Sequence, residues 1–374
     1  MKTKHLLCFL FLSAVYPDEF NEVNIENISS TRVLSIAQDS TGFIWIGTDD
    51  GLNRFDGFQN KVYRSDVFDE ATISGNRIWK IHVDKSNTTW ALTDRGVCYY
   101  DALRDQFERI DMGSRPQHIQ DKNSTLYVST LNNGIYAINK ETKSFKNYLF
   151  DPLDPFSISS SKFSALQAKP TAINGDDLWV GTTNGLNRLS LKTGQAKRLY
   201  KNKTSYVKSD TITAILFVDD VLYVGTSRGL SLHGGNNNEP AQFGGFESSH
   251  ILNVFLIKET SAVGVVSKNK LGIFEKHSVS KTIKTNAPSH LVHDLGSGQY
   301  LLYSPENKNA IFLSVDIDTD DIYQSNKIEL PIKTTGILAD NEGGAWLVGE
   351  SGTARTSNIE TPSVFTPIPH LKET

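Results

Sequence analysis

A short pattern recurs along this chain, and the repetition constrains the fold more than any other feature. Each copy has an aromatic anchor, alternating apolar residues, Gly-Thr or a variant, a polar turn and a second apolar segment. The clear copies begin at Trp45, Trp90, Tyr127, Trp179, Tyr223 and Trp346, and two weaker copies lie near Val263 and Tyr300. The first four steps between anchors are 45, 37, 52 and 44 residues, so one repeat unit occupies about forty to fifty residues.

Each copy contains further short segments that are typical of β-strands. An apolar run precedes the anchor, as at residues 33–36 and 336–339, and an Asp-x-x-Gly turn joins run to anchor at 39–42 and 340–343. A last segment often holds an aromatic residue, as at 145–148. Helical periodicity is absent beyond the N-terminal segment. The pattern predicts an all-β fold, a β-propeller of four-stranded antiparallel blades.

Eight repeats allow one eight-bladed ring, or seven blades plus one extra repeat. We predict inner strands that begin near Val33, Ile78, Gln117, Phe163, Ile212, Ile251, Leu291 and Gly336. The segment Phe20–Ile25 precedes the first of them and is placed to add an outer strand to the last blade. Such closure would leave no open ring edge. The eight-bladed version requires Trp346 to lie in the same ring as Trp45.

The Gly-Thr pair and the aromatic anchors are expected to serve packing. Glycine in the second strand admits close approach of the neighbouring backbone, and Trp or Tyr fills the space between blades. A second interpretation makes the tryptophans stacking platforms for sugars. We favour packing, because the tryptophans alternate with aliphatic residues.

The N-terminal segment has the features of an export signal. Lys2 and Lys4 give it a basic start, and residues 6–16 form an apolar run that is too short to span a bilayer. An uncleaved interfacial anchor or a misassigned start are the alternatives. We therefore expect a signal peptide at 1–16, a propeller domain at 20–366, a C-terminal tail at 367–374, and a periplasmic location.

The segment Asp39–Asp56 and its echo at 179–188 resemble the two-component regulator propeller repeat. The resemblance extends from about residue 20 to 366 and weakens beyond Ser231. In that family the propeller is usually the periplasmic sensory part of a receptor, followed by a β-sandwich, a transmembrane helix and a histidine kinase or diguanylate cyclase. The resemblance implies a truncated member, an excised domain or a stand-alone binding protein. It supplies no universal ligand-binding residues.

Charge and motifs argue against several functional classes. The net charge of −4 and the pI near 6.2 argue against a nucleic-acid binder, because such a protein needs a basic stripe to neutralise phosphates. The sequence has no HExxH, P-loop or CxxC motif, and neither catalysis nor a cofactor is predicted. Cys8 and Cys98 are too few for a zinc site. The Asp318–Asp321 run lacks the features of a calcium loop, and His290 and His293 should point to opposite faces of a strand, so no metal site is predicted.

Candidate binding residues follow from the expected geometry. The turns between second and third strands, and the connections into the inner strands, should meet at one mouth of the channel, and loops on rigid scaffolds often carry binding residues. The predicted ligand-binding residues are Asp50, Arg77, Arg95, Asn133, Asn184 and Arg228. Arginine suits an anion, and the whole set suits a sugar or a small anion. The competing interpretation is that tight turns require such residues.

The predicted function is a non-catalytic, periplasmic ligand-sensing or ligand-binding propeller. It would bind a small molecule and act through a signalling partner or through missing downstream domains. One alternative is a propeller hydrolase or lyase acting on a carbohydrate, which would need carboxylates or histidines clustered at the mouth. The other alternative is a protein-interaction scaffold.

Overall fold

A computed structural model describes most of the chain. The described residues are 20–163, 171–201, 207–234, 245–246, 248–258, 260–268, 270–284, 291–296, 298–304, 306–315, 322–325, 328–357 and 365–367. The expected signal peptide at 1–16, the Asp318–Asp321 run and His290 lie outside them, as does the expected tail apart from Pro367. Within these ranges every regular element is a strand, and none of them is a helix that could cross a membrane.

The strands form eight antiparallel sheets, one for each predicted blade. The first strand, β1 (Asn21–Val23), belongs to the last blade. Blade one comprises β2 (Val33–Gln38), β3 (Ile44–Thr48), β4 (Leu52–Phe55) and β5 (Asn60–Tyr63). Blade two comprises β6 (Ile78–Val83), β7 (Thr89–Thr93), β8 (Gly96–Asp101) and β9 (Gln106–Asp111). Blade three comprises β10 (Pro116–Lys122), β11 (Thr125–Thr130), β12 (Ile135–Asn139) and β13 (Phe145–Tyr148). Blade four comprises β14 (Thr171–Asn174), β15 (Asp177–Thr182), β16 (Gly185–Ser190) and β17 (Ala196–Leu199).

The second half repeats this order. Blade five has three described strands, β18 (Ile212–Val218), β19 (Val221–Thr226) and β20 (Gly229–Gly234). Blade six comprises β21 (Ile251–Ile257), β22 (Ala262–Ser267), β23 (Lys270–Glu275) and β24 (Ser278–Lys284). Blade seven comprises β25 (Leu291–Gly296), β26 (Gln299–Tyr303), β27 (Asn309–Val315), β28 (Ile322–Ser325) and the short β29 (Ile328–Glu329). Blade eight comprises β30 (Thr334–Ala339), β31 (Ala345–Gly349) and β32 (Gly352–Thr356), while β33 (Phe365–Pro367) pairs with β28.

Most predicted strand starts agree with this architecture. Seven of the eight inner strands begin within two residues of the predicted position. The fourth is described only from Thr171, eight residues after the predicted start at Phe163, and residues 164–170 between them are not described. Phe163 is itself buried, and its N–H donates to the carbonyl of Leu131 in the preceding blade at 3.2 Å.

The ring closes between blades one and eight. Strand β1 pairs with β32 in the register Glu22↔Ala354, so the N-terminal strand completes the last blade as the sequence predicted. Trp346 packs with Ile46 in one buried cluster, and the Thr335 hydroxyl donates to the Val33 carbonyl at 2.8 Å. The chain is therefore one eight-bladed ring, and the version with seven blades plus an extra repeat is wrong.

Glycine in the second strand makes room for the next blade. A Cβ built on Gly47 would lie 2.5 Å from Ser35 Oγ and 2.7 Å from Ile78 Cγ2. The same conflict arises between neighbouring blades further on, for Gly181 with Ile212 Cβ at 2.7 Å and for Gly225 with Ile251 Cγ2 at 2.7 Å. The isoleucine that begins each following blade occupies the space that a side chain would need. The predicted packing role of glycine is confirmed.

Three of the four tryptophan anchors, all except the half-buried Trp179, are buried and hydrogen-bonded to the turn before them. Trp45 and Trp90 are 0 % exposed. Each indole Nε1–H donates to the aspartate that opens the turn, in the pairs Trp45–Asp39 at 2.8 Å, Trp90–Asp84 at 2.9 Å and Trp346–Asp340 at 3.1 Å. The other Asp39 oxygen accepts the N–H of Phe43 at 3.1 Å. One carboxylate thus fixes both the turn and the core aromatic.

A polar cluster joins blades one and two near their outer strands. Asp105 accepts hydrogen bonds from the hydroxyls of Tyr63 at 2.7 Å and Tyr100 at 2.6 Å, and from the ammonium of Lys61. Partial burial raises the pKa of Asp105, but the hydrogen bonds from Lys61, Tyr100 and Tyr63 have the larger combined effect and lower this pKa to about 2. The carboxylate is therefore ionised at neutral pH and links the two blades.

We predict that Gly47→Ala lowers the free energy of unfolding by about 1–3 kcal/mol, because the new methyl group overpacks the interface with Ile78. Gly336→Ala is the control, since the nearest atom to its added Cβ is Val348 Cγ2 at 3.1 Å and the next lies at 3.9 Å. Urea unfolding of both variants measures the difference. Equal losses in the two would show that the Gly47 position has no special packing role.

Candidate functional site

A buried threonine shapes the turn between the second and third strands. Five of the predicted binding residues occupy the same place in five such turns, namely Asp50, Arg95, Asn133, Asn184 and Arg228. Each donates its backbone N–H to the threonine hydroxyl at 2.9–3.1 Å. The same hydroxyl donates to the turn glycine carbonyl at 2.7–3.1 Å, in the pairs Thr48–Gly51, Thr93–Gly96, Thr130–Gly134, Thr182–Gly185 and Thr226–Gly229. The Gly-Thr motif thus both packs the blade and sets the turn.

The residue immediately before an inner strand lies on the same face as these turns, and in blade four the corresponding residue is Lys162, which precedes the predicted strand start at Phe163. Backbone bonds establish this placement, because the first turn residue donates to its carbonyl. The pairs are Asp49–Arg32 at 3.3 Å, Asp94–Arg77 at 3.1 Å, Leu131–Arg115 at 2.8 Å, Thr183–Lys162 at 3.2 Å and Ser227–Thr211 at 3.1 Å. We call these positions the mouth ring, and its described members are Arg32, Arg77, Arg115, Lys162, Thr211, His250 and Lys333. We call the face that carries them the mouth face.

All six predicted residues therefore lie on one face, but three of their side chains are already engaged. The contacts are Asp50 Oδ2 with Arg64 Nη2 at 3.3 Å, Asn133 Nδ2 with the Met112 carbonyl at 2.8 Å, and Asn184 Nδ2 with the Ser159 carbonyl at 3.5 Å. These partners belong to the connection that leads into or out of the same blade. Bracing of turns and connections, which was the competing interpretation, accounts for these three contacts.

The three arginines differ from the other predicted residues. Arg95 and Arg228 are exposed, and neither side chain has a hydrogen bond or ion pair with a described residue. Arg77 is half-buried, with its guanidinium carbon 4.1 Å from the centroid of the Trp79 ring. Its buried Nε has no hydrogen-bond partner within the described ranges. The guanidinium groups of Arg95 and Arg228 and the Nε–H of Arg77 are therefore donors without an acceptor among the described residues.

Two residues beside Arg77 escaped the sequence prediction. Trp79 follows Ile78 at a bulge in β6, and the guanidinium carbon of Arg115, from the next blade, lies 4.4 Å from the centroid of its ring. The buried indole Nε1 has no acceptor among described residues. Arg115 Nε and Nη2 donate to the Gln117 amide oxygen at 2.9 and 2.8 Å, in the amide orientation that satisfies both groups. We call Arg77, Trp79 and Arg115 the Arg–Trp–Arg stack.

Two connections on the mouth face share a conformation that an arginine holds. The arginines are Arg109 for residues 66–72 and Arg198 for residues 151–157. In each case Nε donates to the carbonyl of the last residue at 2.7 Å, and Nη2 donates to two further carbonyls of the segment. The segments display Phe68 and Leu153, which are 96 % and 91 % exposed. These loops are therefore fixed although their apolar tips stay in solvent.

The perturbed titratable groups give no sign of a metal centre. Across the described ranges, no group of three or more His, Cys, Asp or Glu residues is placed to hold a metal ion. Burial lowers the pKa of His293 to about 4 and raises the pKa of Cys98 to about 11. These side chains are therefore uncharged at neutral pH.

Part of the chain is similar to known proteins. Residues 27–50 match the model of the two component regulator propeller, which confirms the resemblance seen in the sequence. A stretch of 50 residues is 46 % identical to histidine kinase P4 of Formosa agariphila, and it covers 13 % of this chain and 4 % of that protein.

Solved structures share the fold at low sequence identity. The extracellular domain of the putative hybrid two component system BT3049 from B. thetaiotaomicron aligns with a TM-score of 0.53 and 19 % identity, covering 95 % of this chain and 55 % of that one. The extracellular domain of the putative one component system BT4673 aligns with a TM-score of 0.54 and 20 % identity, covering 94 % and 43 %. The computationally designed Ika8 protein reaches a TM-score of 0.61 at 11 % identity, covering 90 % and 98 %. The chain thus spans about half of the two extracellular domains.

We predict that Thr226→Val destabilises the protein by about 1–3 kcal/mol, because it removes the hydroxyl that bonds Arg228 N–H and the Gly229 carbonyl at a fully buried site. Thr211→Val is the matched control, since its hydroxyl has no hydrogen bond to a described residue. Thermal unfolding compares the two variants. A loss in Thr211→Val as large as that in Thr226→Val would contradict the role assigned to the turn hydroxyl.

Proposed function

We propose that this propeller is a non-catalytic sensor domain that binds a small molecule at the mouth face and works outside the cytoplasm. The observation that carries the proposal is the set of open arginine donors on one face, Arg77, Arg95 and Arg228, in a protein of net charge −4. Free guanidinium groups on a rigid scaffold suit the capture of an acceptor-rich ligand.

The similarity to sensor proteins supports the signalling part of the proposal. The family model at residues 27–50 describes a regulator propeller, and two structural neighbours are extracellular domains of putative hybrid and one component systems. The basic, then apolar, segment at 1–16 is what an exported domain requires. The output would come from a signalling partner or from further domains.

The proposed ligand-binding residues are the six predicted from the sequence, with different tasks. Arg77, Arg95 and Arg228 would contact the ligand through charge-assisted hydrogen bonds. Asp50, Asn133 and Asn184 would hold the turns and offer their remaining lone pairs or N–H groups to hydroxyls of a sugar. A sugar or a small anion satisfies this combination of groups.

We predict that replacing both Arg95 and Arg228 with Ala weakens ligand binding by about 1.5–3 kcal/mol for each arginine that contacts an anionic group. Stability should change by under about 0.5 kcal/mol, because both side chains are exposed. Thermal-shift screening with neutral monosaccharides and dicarboxylates would select the probe, and calorimetry would measure its affinity.

Arg104→Ala is the control for that experiment, because Arg104 is an exposed arginine in the turn between third and fourth strands, on the opposite face. Its replacement should leave the affinity unchanged. If the double variant binds the selected probe as tightly as the unaltered protein, the mouth face is not the binding face.

A further inference from the structure

The Arg–Trp–Arg stack contains several hydrogen-bond donors, and few acceptors among the described residues pair with them. The buried Nε–H of Arg77 and the buried indole N–H of Trp79 have no acceptor among the described residues. An unsatisfied buried donor costs about 1–3 kcal/mol, and more when it is charged. The group that would satisfy these donors must offer lone pairs, and a carboxylate or phosphate oxygen offers only lone pairs.

The two guanidinium groups also repel each other. Both guanidinium carbons lie within 4.5 Å of the centroid of the Trp79 ring, at 4.1 and 4.4 Å. They are therefore closer together than the screening length of about 10 Å in 0.1 M salt, so their repulsion persists at physiological ionic strength. An anion that contacts both guanidinium groups would replace this repulsion with two attractive interactions.

No carboxylate among the described residues performs this neutralisation. In the same ring, Arg32 is paired with Glu350 at 3.3 Å. Neither Arg77 nor Arg115 has a described carboxylate within 4.0 Å, although Asp49 and Asp94 lie in turns of the same face. Two neighbouring positions of the mouth ring, Arg77 and Arg115, therefore carry positive charge that no described carboxylate pairs with.

We propose that the Arg–Trp–Arg stack binds a compact oxyanion, through carboxylate or phosphate oxygens, at the junction of blades two and three. This assignment rests on the proposed function and narrows its ligand class from a sugar or an anion to an anion. Arg77 and Trp79 come from blade two and Arg115 from blade three, so the bound anion bridges two blades. A neutral sugar would leave the charge repulsion in place.

The test titrates the full chain with two probes, citrate and inorganic phosphate, followed by calorimetry and tryptophan fluorescence. We expect saturable binding of at least one probe, a fluorescence change that Trp79→Phe removes, and affinity that falls as sodium chloride is raised. Arg77→Ala and Arg115→Ala should each weaken binding by about tenfold or more. Arg77→Lys should lose less, because it keeps the charge but not the forked geometry.

Arg32→Ala is the matched control from the same ring, and it should change the affinity by less than about threefold, because Glu350 already occupies this arginine. Citrate binding without phosphate binding would assign the site to carboxylates, and the reverse to phosphates. Absence of binding by both probes, or equal binding by Arg77→Ala, Arg115→Ala and the unaltered chain, would overturn the inference.

The outcome separates this inference from the proposed function. If a neutral monosaccharide binds, and its binding depends on Arg95 and Arg228 but not on Arg77 and Arg115, the proposed anion site is wrong, whereas the proposed binding function of the mouth face is supported. If replacing either pair, Arg95 with Arg228 or Arg77 with Arg115, leaves the affinity for every probe unchanged, both proposals are wrong. Thermal unfolding of each variant confirms that a loss of binding does not come from a loss of folding.

Discussion

The contact between the second strand of one blade and the first residue of the next holds this ring together. At three junctions a glycine faces an isoleucine so closely that a single methyl group would not fit, as at Gly47 and Ile78. Trp346 and Val348 pack with Val33 and Ile46 where the last blade meets the first. Because each blade buries its face only against its neighbours, the packing is complete only when the ring is closed.

The Gly-Thr motif connects the packing of the blades to the turns that carry exposed residues on the mouth face. The glycine of Gly-Thr fits the next blade, and the adjacent threonine fixes the turn on the mouth face, as Gly225 and Thr226 do beside Arg228. The turn conformation is set by the buried hydroxyl rather than by the exposed side chain. The residue at this position therefore differs between blades, from Asp50 to Arg95, while the turn keeps the same hydrogen bonds.

Sequence reasoning predicted the features that repeat and missed those that do not. The period of the anchors predicted eight blades, and Phe20–Ile25 predicted the closing strand. The Arg–Trp–Arg stack was missed because a bulge in β6 places Trp79 beside an arginine of the next blade, and a bulge has no signal in this pattern. Three predicted side chains brace the irregular connections between blades, whose courses follow no period, so their contacts had to be read from the structure.

Cross-linking of the first strand to the last blade tests the closed ring most directly. Paired residues of antiparallel strands have Cα atoms about 4.5–5.5 Å apart, within the range that a disulfide spans. The Glu22→Cys/Ala354→Cys variant should therefore form an intramolecular disulfide and gain thermal stability, because Glu22 and Ala354 are register partners. The Glu22→Cys/Lys61→Cys variant, which would link β1 to β5, the outer strand of the first blade, should stay reduced. A disulfide in the second variant but not in the first, or one formed only between two chains, would contradict the closed eight-bladed ring.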